Sequence, residues 1–227
     1  MTSTLACLQD FAASLTRAFT LPGSANPEDQ LKAPMTALLE GLSPLAGGLV
    51  ASQTEAHVGG LNGRPDMAVF VSGLLVGHIE LKAPGLGANP ARFRDAHSKR
   101  QWEKFKSLPN LIYTDGAEWM LFQLGERIAS ARAAGDPAAD GGAAFTQATA
   151  ESLKRLLREF LAWQPLVPHE SAELARYLAP LARLLRDDVE EAAARPGSAI
   201  AMLNQQWRRV LLTNATDNAF ADAYARP

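Results

Sequence analysis

The stretch GRPDMAVFVSGLLVGHIELKAPG, from Gly63 to Gly85, decides the fold of the first half of the chain. It is mostly apolar and has a Ser-Gly turn signal near its middle. This pattern predicts two antiparallel strands, at about 66–72 and 75–82. An unpaired charge buried among apolar residues is strongly unfavourable, so charged groups here either neutralise each other or bind something. Three charged residues raise that question: Asp66, Glu80 and Lys82.

The hairpin connection decides which of these charges meet. Period-two alternation places Glu80 and Lys82 on one face of the second strand. A two-residue turn places Asp66 opposite Ile79 on the other face, whereas a three-residue connection places it opposite Glu80, with β-carbons roughly 5 Å apart. Two carboxylates this close repel each other, and a divalent cation such as Mg²⁺ relieves that repulsion. A structural ion pair or a solvated sheet edge is the alternative.

The motif itself resembles a known superfamily. Pro-Asp followed, after thirteen residues, by Glu-Leu-Lys is similar to the PD-(D/E)xK nucleases. The resemblance implies an α/β fold of the restriction-endonuclease type, with a mixed central sheet flanked by helices. Helical periodicity from Glu151 onward predicts an all-α region after it. It also implies that Asp66, Glu80 and the Leu81 carbonyl hold Mg²⁺ or Mn²⁺. Lys82 would then assist the attacking water, and cleavage would leave a 5′-phosphate and a 3′-hydroxyl.

Two further positions match elements of that superfamily. Glu28, on the helix before the hairpin, stands where many members carry an auxiliary acid that helps to hold metal. Gln101, in QWEKF, resembles the glutamine of the Q-x-x-x-Y element, which positions the catalytic lysine or the nucleic-acid backbone. Phe105 stands where that element usually has tyrosine, so any role of the tyrosine hydroxyl is lost here.

A narrower resemblance covers residues 26–125. The stretches PEDQLKAPMTALLEGL, GRPDMAVFVSGLLVGHIELKAPG and FKSLPNLIYTDGAEWMLF are similar to the N-terminal nuclease region of single-chain restriction-modification enzymes of types IIG and ISP. This implies a DNA endonuclease of anti-phage defence, with double-stranded DNA as substrate. It also implies an N6-adenine methyltransferase and a specificity module as partners, fused or separate. The segment WRRVLLTNATDNAFADAYARP resembles the helical lead into that methyltransferase, although TNATDNAF replaces an expected acidic run.

Two other functions stay open. One is a catalytically silent DNA-binding module that retains the nuclease fold. The other is a subunit that docks a separate methyltransferase through residues 151–227.

The segment RFRDAHSKRQWEKFK predicts a polar, basic helix anchored by Trp102 and Phe105. An excess of cations on one helix can follow the phosphates of DNA, although a solvated helix face is the alternative. All four tryptophans fit core positions better than base-stacking positions. The candidate DNA contacts are Arg92, Arg94, Lys99, Arg100 and Lys104.

Composition sets the remaining expectations. The segment 131–145 is rich in Ala, Gly and Asp, which predicts a flexible linker between a nuclease domain at 1–130 and a helical connector at 146–227. The connector's apolar stripes predict a small bundle with one patch left exposed. The net charge of −2 gives no general sign of nucleic-acid binding. A single cysteine, no signal-peptide pattern and no long apolar run favour a cytoplasmic protein without a membrane span.

Overall fold

The computed structural model describes residues 3–20, 26–54, 65–164, 171–210, 219 and 221–223. Contacts divide the chain into two compact units. A sheet-containing unit comprises Met1–Ala56 and Pro65–Pro165, and a helical unit comprises His57–Arg64 and Leu166–Pro227.

The sheet-containing unit begins with helices α1 (Thr4–Thr20), α2 (Asp29–Gly41) and α3 (Ser43–Ala46). Its strands are β1 (Val50–Thr54), β2 (Met67–Val71), β3 (Leu74–Leu81), β4 (Leu111–Thr114), β5 (Glu118–Gln123) and β6 (Glu126–Arg132). Between β3 and β4 lie a 3₁₀ turn (Pro90–Arg92) and helix α4 (Ala96–Phe105). After β6 come α5 (Pro137–Asp140), a second 3₁₀ turn (Gly141–Ala144) and α6 (Gln147–Leu161).

In the described part of the chain, these strands form one six-stranded sheet in the order β1-β2-β3-β4-β5-β6. Neighbouring strands are antiparallel, except that β3 and β4 are parallel. A parallel pair needs a crossover connection, and the segment containing α4 supplies it. The mixed sheet flanked by helices, with a helical C-terminal region, confirms the predicted fold class.

The two faces of the sheet have different surroundings. Ile79, Leu81, Trp119 and Leu121 belong to the main core, together with the buried faces of α1, α2 and α6. The alternate residues Tyr113 and Phe122 point to the other face, where the Trp102 ring of α4 packs on them at centroid distances of 5.7 Å and 4.7 Å. The charged end of β3 therefore shares its face with α4.

Residues 131–145, for which the sequence predicts a flexible linker, are structured and packed. They form the end of β6, α5 and the second 3₁₀ turn, and Phe145 is buried in the main core. The Thr16 hydroxyl of α1 donates a hydrogen bond to the Pro137 carbonyl at 3.2 Å. Small side chains here let the backbone approach α1 closely, so their abundance reflects close packing. The apolar face of α6 also packs into this core. The boundary between the two compact units therefore falls near residue 165, after α6, and not in the segment 131–145.

The helical unit contains α7 (Ser171–Ala194) and α8 (Ala199–Val210). Its buried residues Val189 and Ala221 are surrounded by Leu185, Ile200, Leu203 and Trp207. Thus α7 and α8 pack together, whereas α6, expected in the same bundle, packs on the sheet. Most of the tail segment that resembles the lead into a methyltransferase lies outside the described residues. Across those residues, no helix is long and apolar enough to cross a membrane.

Candidate active site

The register of β2 on β3 brings Asp66 opposite Glu80. The chain turns at Ser72 and Gly73, both with positive φ (50° and 81°), as in the tight two-residue turns that favour hairpins. Beside the turn, Phe70 pairs with Leu75. If this register continued along both strands, Asp66 would lie on the opposite face of the sheet from Glu80.

A β-bulge corrects this register. Val69 pairs with Gly77 instead of Val76, so β3 contributes one extra residue before the ladder resumes. The last regular pair is Met67 with Ile79, and the next position places Asp66 beside Glu80. The predicted adjacent antiparallel strands are confirmed. The extra residue comes from a bulge, a device common next to active sites, and the turn itself keeps two residues.

Asp66 contacts the end of β3 and approaches a lysine of α2. Its Oδ2 accepts a hydrogen bond from the Leu81 backbone N–H at 2.8 Å, and its Oδ1 lies 3.9 Å from Lys32 Nζ. Burial raises the pKa of Asp66 above its ordinary value, although the Leu81 N–H and Lys32 oppose the shift. One oxygen is thus fixed by the backbone, while the other lies near the Lys32 ammonium.

Glu80 and Lys82 form a buried ion pair. Each residue is 1% exposed, and Lys82 Nζ donates to Glu80 Oε1 at 2.8 Å. The same ammonium donates to Gln101 Oε1 of α4 at 2.7 Å. The structure therefore brings Gln101, predicted from the QWEKF element, into direct contact with Lys82.

The second oxygen of Glu80 has no such contact. Glu80 Oε2 is buried and has no hydrogen-bond partner among the described residues. Burial, reinforced by the nearby charge of Asp66, raises the pKa of Glu80 to about 8 in spite of the Lys82 hydrogen bond. A buried carboxylate oxygen without a donor is unfavourable. A proton or an added cation would relieve that cost.

Tyr113 completes this side of the site, and sequence reasoning missed it. It pairs with Glu80 across the parallel strands β3 and β4, and Lys82 Nζ lies 5.7 Å from the centre of its ring. That distance is within the range of a cation–π interaction. Burial, together with the charges of Glu80 and Asp66, raises the pKa of Tyr113, so its hydroxyl stays neutral.

Two charged residues near the start of α2 affect the pKa of Asp66. Glu28, predicted as an auxiliary acid, raises the pKa of Asp66 through its charge. Lys32, which sequence reasoning missed, lies 2.7 Å from Asp29 and also approaches Asp66. Its position four residues after Glu28, on the same helix face, could have indicated that it lies near the site.

No group of three or more His, Cys, Asp or Glu side chains suited to a metal occurs among the described residues.

The predicted DNA contacts do not all lie on one helix. Asn89 caps the 3₁₀ turn and Asp95 caps α4, so the predicted long basic helix is interrupted between them. Arg92 and Arg94 precede α4 and are exposed, and Arg92 lies 3.9 Å from Glu118. On α4, Lys99 and Arg100 are exposed, whereas Lys104 is partly buried.

Comparison with solved structures shows a shared fold. The chain matches part of a chain in the cryo-EM structure of a DrdV–DNA complex, with a TM-score of 0.50 and 19% sequence identity. The match covers 97% of this chain and 20% of that one, so this chain spans about one fifth of the length of the matched chain. No protein-family model and no curated protein matches the chain.

Proposed function

We propose that this chain is a DNA endonuclease module that hydrolyses phosphodiester bonds with Mg²⁺, or with Mn²⁺ in its place. The observation that carries the proposal is the cluster of Asp66, Glu80, Lys82 and Gln101. Lys82 donates hydrogen bonds to Glu80 and Gln101 at 2.8 and 2.7 Å, and the Leu81 N–H of the same strand holds Asp66 at 2.8 Å. The fold shared with part of a protein solved in complex with DNA supports a DNA-directed role.

The residues present suit a hard divalent cation. Asp66 Oδ1, Glu80 Oε2 and the Leu81 carbonyl would hold it, and Glu80 Oε2 is the buried oxygen without a described hydrogen-bond partner. Few protein ligands, all oxygen, are typical of Mg²⁺, which keeps several waters. When bound, the ion would polarise a phosphate and lower the pKa of a water ligand.

Lys82 supplies the fixed positive charge in this proposal. Its ammonium is held from three sides by Glu80, Gln101 and the face of Tyr113. Such a preorganised ammonium orients an attacking water and stabilises the negative charge that develops on the phosphate. Gln101 and Tyr113 act as positioning residues, because they contact Lys82. Glu28 and Lys32 adjust the charge around Asp66 from α2.

The wider setting follows from the sequence resemblance. We place the module in a restriction-modification enzyme of type IIG or ISP, partnered by an N6-adenine methyltransferase and a specificity module. Arg92, Arg94, Lys99, Arg100 and Lys104 would contact the DNA backbone on the α4 side of the site. The exposed positions of most of these cations are compatible with that contact.

The test is nicking of supercoiled plasmid by the full chain. Wild type should cleave with Mg²⁺ or Mn²⁺ and should be inactive in EDTA. Asp66→Asn and Glu80→Gln should lose cleavage. Glu151→Gln, a matched change on an exposed acid of α6, should keep it. Calorimetry with Mn²⁺ should show a site in wild type that Asp66→Asn removes.

The outcomes separate the proposal from its alternatives. DNA binding without cleavage under any divalent cation would favour the silent DNA-binding module. Cleavage that survives Asp66→Asn would refute the assignment of this site. A chain that neither binds nor cuts DNA but captures a methyltransferase would favour the docking function.

A further inference from the structure

A cleft opens beside the candidate active site, on the same face of the sheet. It has a volume of about 670 Å³ and lies between α4, the 3₁₀ turn at Pro90–Arg92 and the strands β5 and β6. This volume falls within the range of roughly 300–1,000 Å³ that is usual for small-molecule sites. One aromatic ring separates the cleft from the reactive lysine, because the Tyr113 ring contacts both Lys82 and Trp102.

The wall of the cleft is aromatic. Trp102 lines it and is partly exposed, with its ring supported by Phe122 at a centroid distance of 4.7 Å and by Tyr113. Sequence reasoning places Trp102 in the core, but the structure leaves part of its ring open to the cleft. A supported indole with accessible surface is suited to stacking on a flat aromatic ligand.

The rim of the cleft is positive. Lys99 of α4 and Arg127 of β6 both line it and are exposed. Arg127 pairs directly with Phe122 across β5 and β6, which places its side chain at the aromatic wall. The acid at the rim, Glu103, forms an ion pair with Lys106. The cleft thus combines an aromatic surface with two cations, which matches a base joined to anionic phosphates.

We propose that this cleft binds an unpaired nucleobase of the DNA substrate, stacked on Trp102, while Lys99 and Arg127 contact the adjacent phosphates. The inference rests on the proposed DNA-directed function and extends it by naming how one nucleotide beside the cut is held. Stacking of bases on aromatic side chains tolerates different sequences, because every base has a flat face.

The experiment measures strand binding by fluorescence anisotropy in EDTA, so that no cleavage is required. One probe is a short labelled oligothymidylate, and the other is a strand of the same length with abasic residues throughout. Wild type should bind the strand with bases about ten-fold or more tightly than the abasic strand. Trp102→Leu should lose this preference, whereas Trp102→Phe should keep most of it.

The cationic rim is tested with the same two strands. Lys99→Gln and Arg127→Gln should weaken binding of both strands equally and reduce its salt dependence. Trp163→Leu and Arg158→Gln are matched controls, because Trp163 and Arg158 lie outside the cleft lining. Neither control should alter the preference for bases.

Three results would overturn the inference. The first is equal binding of the two strands by wild type. The second is the same loss of preference in Trp102→Leu and Trp163→Leu. The third is displacement of the strand by thymidine monophosphate at concentrations similar to the strand's own Kd, which would identify a site for free nucleotides. Because cleavage is assayed separately with Mg²⁺, a failure here leaves the nuclease proposal standing, and the reverse also holds.

Discussion

Replacing Lys82 with methionine tests the site most directly. Methionine keeps a straight apolar side chain but removes the ammonium that contacts both Glu80 and Gln101. Lys82 is 1% exposed, so the change affects a buried charge and leaves the surface unaltered. The effects on stability and on cleavage are expected to be separable.

The stability effect should depend on pH. In Lys82→Met, Glu80 Oε1 loses the Lys82 donor. A buried carboxylate whose charged partner has been removed costs about 3–5 kcal/mol. Glu80 can avoid this cost by taking up a proton, because its pKa is already about 8 when Lys82 is present. Near about pH 6 the loss should therefore be only that of a buried hydrogen bond, about 1–3 kcal/mol. Above about pH 9 the destabilisation should approach about 3–5 kcal/mol. At that pH, keeping Glu80 protonated is itself unfavourable, and the alternative is a buried carboxylate without Lys82.

Urea unfolding in EDTA, followed by tryptophan fluorescence at acidic and alkaline pH, measures this difference. The double variant Lys82→Met/Glu80→Gln is the control, since it lacks the carboxylate and should lose the added pH dependence. A penalty for Lys82→Met that stays constant across this range would refute the coupled buried pair.

The effect on cleavage should be larger than the effect on stability. Loss of one preorganised charge at the reacting group lowers the rate by about 10²–10³-fold. Lys82→Arg should rescue poorly, because a planar guanidinium does not fit the space of a compact ammonium. Lys154→Met, a matched change on α6, should cleave like wild type. If wild type cuts plasmid with Mg²⁺ and folded Lys82→Met cuts equally fast, Lys82 is structural and its catalytic assignment is wrong.

Three other changes follow from the structure. In EDTA, the unfolding free energy of wild type should fall by up to about 1.4 kcal/mol per pH unit as the pH rises toward the pKa of Glu80. The reason is that the folded state holds the Glu80 proton more tightly than the unfolded state does. Urea titrations measure this fall, and added Mg²⁺ should reverse it. Tyr113→Phe should keep the plasmid-cleavage rate, whereas Tyr113→Leu should lower it by removing the ring beside Lys82. Gly77→Ala should lower the thermal midpoint, at a cost of about 1–3 kcal/mol. The new Cβ would lie 2.6 Å from the Asn110 carbonyl oxygen and 2.6 Å from Phe160 Cε2. An unchanged midpoint would contradict the close packing of α6 on β3.

Local sequence patterns predict much of this site, and non-local pairing explains most of what they miss. Alternation places Glu80 and Lys82 on one face because the side-chain period of a strand is a local property. Tyr113 reaches Lys82 only because β4 lies parallel to β3, and no spacing within either strand reveals that. Lys32 approaches Asp66 from α2, whose position relative to the hairpin is also set by tertiary packing.

Composition misleads most where small residues are packed. The Ala- and Gly-rich segment 131–145 has the composition of a linker, yet its backbone lies against α1 and Phe145 enters the core. Low apolar content predicts flexibility only when nothing covers the segment, and here α1 covers it. The spacing of the apolar residues correctly predicts the buried stripe of α6, but amphipathicity alone does not identify the surface that buries it.

The bulge in β3 explains how Asp66 and Glu80 share a face although the two-residue turn alone would separate them. Ser72 and Gly73 form a two-residue turn, and the register beside it would separate Asp66 from Glu80. One extra residue in β3 reverses the face of every later position, because the strand period is two. Gly77, just after the bulge, has no space for a side chain beside Asn110. The register of the charged end thus depends on packing in the middle of the strand, and the thirteen-residue spacing is compatible with a shared face only because that bulge is present.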